Sequence, residues 1–118
     1  MEAMIYTLVR GADWDAAEVL GAYHGNADDR RDGFLHFSTA AQLRPTAAKH
    51  RAGEADLRMI EADTAALGDA LRWEPAAGGS RAGLFPHLYA ALPLSAVRRA
   101  VAVPLGADGV HAFPADIP

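Results

Sequence analysis

The chain has 118 residues and no cysteine. Disulfide scaffolds, thiolate zinc sites and cysteine nucleophiles are therefore excluded, and the composition fits a reducing compartment. Long hydrophobic runs are missing as well. The longest candidates, such as residues 100–105, are strand-sized and far short of the roughly 20 apolar residues a membrane helix needs. Residues 1–10 have neither the cationic start nor the apolar stretch of a signal peptide. These readings predict a cytoplasmic protein with no membrane partner.

A basic face is also absent. Net charge is −4, with acidic and basic residues mixed along the chain, so there is no strong nucleic-acid signal. The short clusters at Arg30-Arg31, Lys49-His50-Arg51 and Arg98-Arg99 read as solvated faces. Lysine is nearly lacking, one against ten arginines, while alanine reaches 27. Such a skew reflects genome composition, which makes alanine a weak argument for helix. No G-x-G-x-x-G opens a helix, and neither G-x-x-x-x-G-K-[ST] nor H-E-x-x-H occurs. The usual dinucleotide and phosphate cradles and the two-histidine zinc helix are thus excluded.

What is present predicts one domain over residues 1–118, with a core at about 4–105 and a loosely held tail at 106–118. At this length folding removes roughly two-thirds of the unfolded chain's surface from water, enough for a core without staples. Residues 4–9 (M-I-Y-T-L-V) read as a first strand, ending at Gly11. Residues 12–20 space Trp14, Ala17 and Leu20 on one helical face, with Gly21 as the stop. Residues 25–32 (G-N-A-D-D-R-R-D) are polar and read as a surface loop.

Residues 33–38 (G-F-L-H-F-S) predict a second strand that puts Phe34, His36 and Ser38 on one face and Leu35 and Phe37 on the other. Ser38 or Thr39 caps a helix over 40–52, which Pro45 must break or restart. Strands at 56–62 and 70–74, a glycine-rich flexible loop at 76–83, a compact aromatic segment at 85–92 and a last strand at 98–105 follow. Short strands mixed with two or three short helices predict an α+β fold with small mixed, partly antiparallel sheets.

Three segments carry polar and aromatic groups that a structural role does not require: G-F-L-H-F-S-T at 33–39, R-W-E-P at 72–75 and F-P-H-L-Y at 85–89. They supply two imidazoles, a carboxylate, an indole, a phenol and a hydroxyl, the inventory of an apolar pocket with a few convergent polar groups. Each also has a structural reading. His36 fits a core histidine bonded to backbone, Trp73 fits the core, and Glu74 fits an exposed strand end. Tyr89 fits a core ring with its hydroxyl outside. A metal site of His36, His87 and Glu74 has no local signature, and a Ser38–His87 nucleophile pair lacks a G-x-S-x-G elbow. His24, His50 and His111 lie in polar or tail segments and take no role.

The ordered set I-Y-T-L at 5–8, G-F-L-H-F-S-T, R-W-E-P and F-P-H-L-Y resembles the bacterial domain-of-unknown-function family 952, over about residues 4–105. That resemblance implies a fold like the ADP-ribosyltransferase group, which includes RNA 2′-phosphotransferases and binds NAD in a cleft between two small sheets. By the same resemblance Thr7 stands where the family usually has histidine, and His36 is the second-strand polar residue. Glu74 would be the carboxylate that stabilises an oxocarbenium-like transition state. Thr7, Ser38, Trp73, His87 and Tyr89 would line the ligand, with Tyr89 or Trp73 stacking on a nicotinamide or adenine ring. Two functions follow as expectations: an NAD-using transferase or hydrolase at a glycosidic carbon, with His36 and Glu74 catalytic, or a binding module for a small molecule or nucleotide.

Overall fold

A computed structural model describes residues 2–76 and 83–117. Strand β1 (Met4–Arg10) pairs antiparallel with β4 (Leu57–Asp63), which pairs antiparallel with β8 (Val97–Val103), giving a sheet of order β1-β4-β8. Both faces of this sheet carry buried apolar residues. Ile5, Val9, Ile60 and Ala62 face a cluster with Trp14, Tyr23, Leu35, Phe37, Leu88 and Leu92. Tyr6, Leu8, Met59 and Val103 face a second cluster with Leu43, Ala47 and Ile117.

Helix α1 (Gly11–Leu20) buries Trp14 and Ala17 on the first face. It stops at Gly21, whose φ of 92° is left-handed backbone that only glycine adopts without strain. After the short strand β2 (Ala22–Tyr23) comes helix α2 (Ala27–Asp32), in the stretch that composition marks as a loop. Its start is a capping box: the Asn26 side chain accepts from the Asp29 amide, and the Asp29 carboxylate accepts from the Asn26 amide. One alanine and five charged residues give no hydrophobic period, so the local signs of this helix are its capping box and the left-handed Gly33 that ends it.

Strand β3 is two residues long, Leu35–His36, rather than the six that alternation predicts. The chain leaves it to bridge β1: Tyr6 N–H donates to Ser38 O (2.8 Å), and Ser38 N–H donates to Tyr6 O (2.7 Å). Thr39 then caps helix α3 (Ala40–His50), again with a capping box, closed by Gln42. Pro45 lies inside this helix and does not break it. Proline fixes a helical φ, and the carbonyl it leaves unbonded, that of Ala41, belongs to an exposed residue that water can serve.

Strands β5 (Leu71–Pro75) and β6 (Leu84–Leu88) form a second sheet of order β3-β6-β5, and β2 pairs with β7 (Leu92–Pro93). Every strand pair is antiparallel. The result is α+β, with three α-helices among the described residues. Among the described residues no helix is long and apolar enough to cross a membrane. The predicted flexible loop falls largely on residues 77–82, outside the described residues.

The tail differs from expectation. Ile117 is 4% exposed within the second cluster, and the Arg44 guanidinium donates to its carbonyl (3.1 Å). The buried His111 donates from Nε2 to Glu54 O (2.8 Å), and Arg99 pairs with Asp116 (3.0 Å). Ile117 and Phe113 pack on the second cluster and these polar contacts hold the rest, a set too sparse for periodicity to register.

Candidate functional site

The bridge at Tyr6 and Ser38 is where the two three-stranded sheets adjoin, and a cavity of about 280 Å³ opens beside it. Thr7, His36, Ser38, Asp29, Thr46 and His87 are among its lining residues. The volume is near the lower end of small-molecule pockets, roughly 300 Å³.

Register brings the two histidines together. His36 and His87 are direct partners across β3 and β6, so their side chains leave the same face, with ring centroids 5.7 Å apart. Phe34, two residues before His36, stacks on His87 at 4.0 Å between centroids.

The partners of the two rings differ. His36 Nδ1 lies 2.6 Å from Asp29 Oδ1, and Nε2 lies 2.9 Å from Asp32 Oδ2. A carboxylate only accepts, so both nitrogens carry hydrogen and the ring is an imidazolium. Burial pushes its pKa down, but hydrogen bonds and charge from Asp29, then Asp32, outweigh burial and leave it raised. Asp32 itself is held down to about 2, chiefly by Arg31 and further by His36. Asp29 also accepts from the His36 backbone amide (3.1 Å), so one buried carboxylate starts α2, docks β3 and orients the ring.

His87 is 3% exposed, and its Nδ1 lies 2.9 Å from Glu74 Oε1. Among the described residues Nε2 has no hydrogen-bond partner. Burial lowers the pKa of this ring, the charge of His36 adds to that, and Glu74 opposes it. Because the Glu74 carboxylate accepts from Nδ1, the neutral form of this ring carries its lone pair on Nε2. Glu74 also accepts from the Tyr89 hydroxyl (2.7 Å), and these two donors, Tyr89 foremost, hold its carboxyl below the ordinary range.

The other sequence candidates are placed as follows. Glu74 does not line the cavity and reaches it through His87. Trp73, on the opposite face of β5 from Arg72 and Glu74, packs against the first core cluster. Tyr89 is outside the cavity, beneath the Arg72 guanidinium at 4.6 Å. Thr7 lines the cavity, and its hydroxyl donates to the His36 carbonyl (2.9 Å). The Ser38 hydroxyl bonds Thr46 (3.0 Å) rather than His87.

Asp29 and Asp32 escape the sequence reading because their segment passes for a loop. The N-x-x-D capping pattern at 26–29 is the signal that finds them. Among the described residues no group of three His, Asp, Glu or Cys side chains has the arrangement to hold a metal ion.

Fold and site define a small α+β protein with a paired-histidine cavity at the junction of two sheets. Residues 8–100 match the family described as protein of unknown function (DUF952), and the chain belongs to it. It is similar to protein CC0527 from Caulobacter crescentus, a structural-genomics target. The crystal structure of that protein is 41% identical, covers 92% of this chain and 93% of its own, and has a TM-score of 0.84. Its solution structure is 42% identical, with coverage of 92% and 90% and a TM-score of 0.81. No curated protein matches.

Proposed function

We propose that the cavity takes a nucleotide-class small molecule and that the protein is a transferase or hydrolase acting at a glycosidic carbon, with NAD as the donor. The observation that carries this reading is the His36–His87 pair, which lines one cavity with an imidazolium and a neutral imidazole side by side. A sugar-centred transition state is cationic, so it is stabilised by nearby carboxylate and needs a base for the incoming oxygen. The α2 carboxylates of Asp29 and Asp32 line the cavity, Asp32 shared between His36 and Arg31, and Nε2 of His87 has no hydrogen-bond partner among the described residues. The carboxylate role thus moves from Glu74 to the α2 aspartates. The likeness to ADP-ribosyltransferases supplies the choice of NAD.

Purified protein incubated with NAD is expected to release nicotinamide, and His87→Ala is expected to stop the release. Release no greater than in a buffer blank, with or without an RNA or protein acceptor, overturns the reading.

One observation favours a binding module instead: the Thr7 hydroxyl is committed to the His36 carbonyl and so does not orient a ligand. A nucleotide that raises the melting temperature without being turned over supports that second reading.

A further inference from the structure

We infer that His87 is the residue that takes up a proton in this cavity, that Glu74 is its positioning residue, and that His36 is a fixed cation that exchanges none. The inference deepens the proposed glycosidic chemistry and rests on it for the reaction, while the assignment of protons rests on geometry. Each nitrogen of His36 faces a carboxylate oxygen within 3 Å, so the ring has no lone pair to offer. His87 has one nitrogen committed and one without a partner among the described residues, and it lines the cavity. Glu74 sits diagonally across from it: Arg72 is the register partner of His87, and Glu74 is two residues along the same face. Tyr89 donates to the same Glu74 oxygen, and Phe34 stacks on the His87 ring. Three side chains therefore fix the plane and tautomer of one imidazole, the arrangement that a general base requires.

In the reaction the hydroxyl of water or of an acceptor passes its proton to His87 Nε2 as its oxygen bonds to the sugar carbon. The C–N glycosidic bond breaks, and its electron pair leaves with the pyridinium ring as neutral nicotinamide. The product is the ADP-ribosylated acceptor or, with water, ADP-ribose, and the protonated His87 returns its proton to water. The charged and titratable groups around His87 and its cavity are Glu74 and Arg72 from β5, His36 from β3, Asp28, Asp29, Arg31 and Asp32 from α2, and Lys49, His50 and Arg51 at the end of α3.

The test has two parts that fail independently. Nitrogen-15 NMR of the imidazoles near neutral pH is expected to show His87 neutral with hydrogen on Nδ1 and His36 with hydrogen on both nitrogens. His87 doubly protonated, or carrying its hydrogen on Nε2, overturns the assignment whatever the turnover. With NAD, His87→Gln is expected to lower kcat by about 10²- to 10⁴-fold. In Glu74→Gln the acid limb of the kcat profile should move to lower pH, because a negative neighbour is lost. In His36→Gln it should move to higher pH, because a positive one is lost. Retained kcat in His87→Gln, or an unmoved limb in a folded Glu74→Gln, also overturns it. If the wild type releases no nicotinamide while the tautomers are as stated, the donor is wrong and the proton assignment stands.

Discussion

Across the β3–β6 pair His36 and His87 stand opposite one another, 5.7 Å between ring centroids, and meet different sets of partners. Their backbone settings are alike, so the difference comes from the next strand and helix out. His36 meets two carboxylates from α2, whereas His87 meets one from β5 and a cationic ring beside it. Two identical side chains are thus separated into a donor and an acceptor by neighbours remote in sequence.

This division has a signature in stability against pH. The raised pKa of His36 means that its ion pairs contribute fully below its ordinary value of 6.5 and are lost as pH rises through the folded value. His36→Gln should therefore cost most at mildly acidic pH and least at alkaline pH, measured by urea denaturation across the range. His87 acts in the reverse direction. Its lowered pKa gives stability that is present above 6.5 and lost as pH falls through the folded value.

Asp29→Ala removes acceptors for the Asn26 amide, the His36 amide and the His36 ring together. A loss of about 2–4 kcal/mol is expected, since buried donors are left unpaired. Chemical denaturation measures this, and a cost below about 0.5 kcal/mol would contradict the hub role, being typical of an ordinary surface change.

Thr7→Val keeps the shape of the side chain and deletes one hydrogen bond to the His36 carbonyl. The expected cost is about 1 kcal/mol, read from the melting curve. Chemical shifts of the His36 ring should change with it, because the bond fixes the strand that bears the ring.

Ile117→Ala should cost about 2–4 kcal/mol, within the usual range for truncating a buried aliphatic side chain. A negligible change in the denaturation midpoint would return the tail to the loosely held state that its composition suggests.

The legible parts of the sequence are those governed by local rules. Gly21 as a stop, Thr39 as a cap and the apolar run of β1 each follow from residues within a turn of one another. The cavity histidines also stand out, because an imidazole amid Phe34, Leu35 and Phe37 is an exception to the apolar pattern. Their roles are not legible. That Glu74 serves His87 depends on the register of β5 against β6, and that His36 is charged depends on a helix with no hydrophobic face. Pro45 illustrates the converse. The rule against proline inside a helix is a statement about one hydrogen bond, and burial of Leu43 and Ala47 with the Thr39 cap outweighs it.

The bridge between Tyr6 and Ser38 has a mechanical consequence. Two backbone hydrogen bonds form the strand-to-strand seam between the three-stranded sheets, and the cavity lies along that seam with walls from both sides. The Thr7 hydroxyl, bonded to the His36 carbonyl, adds a side-chain link between the same two sheets. A ligand spanning the seam acts as a further rivet, and slower hydrogen exchange at the Tyr6 and Ser38 amides would record its arrival.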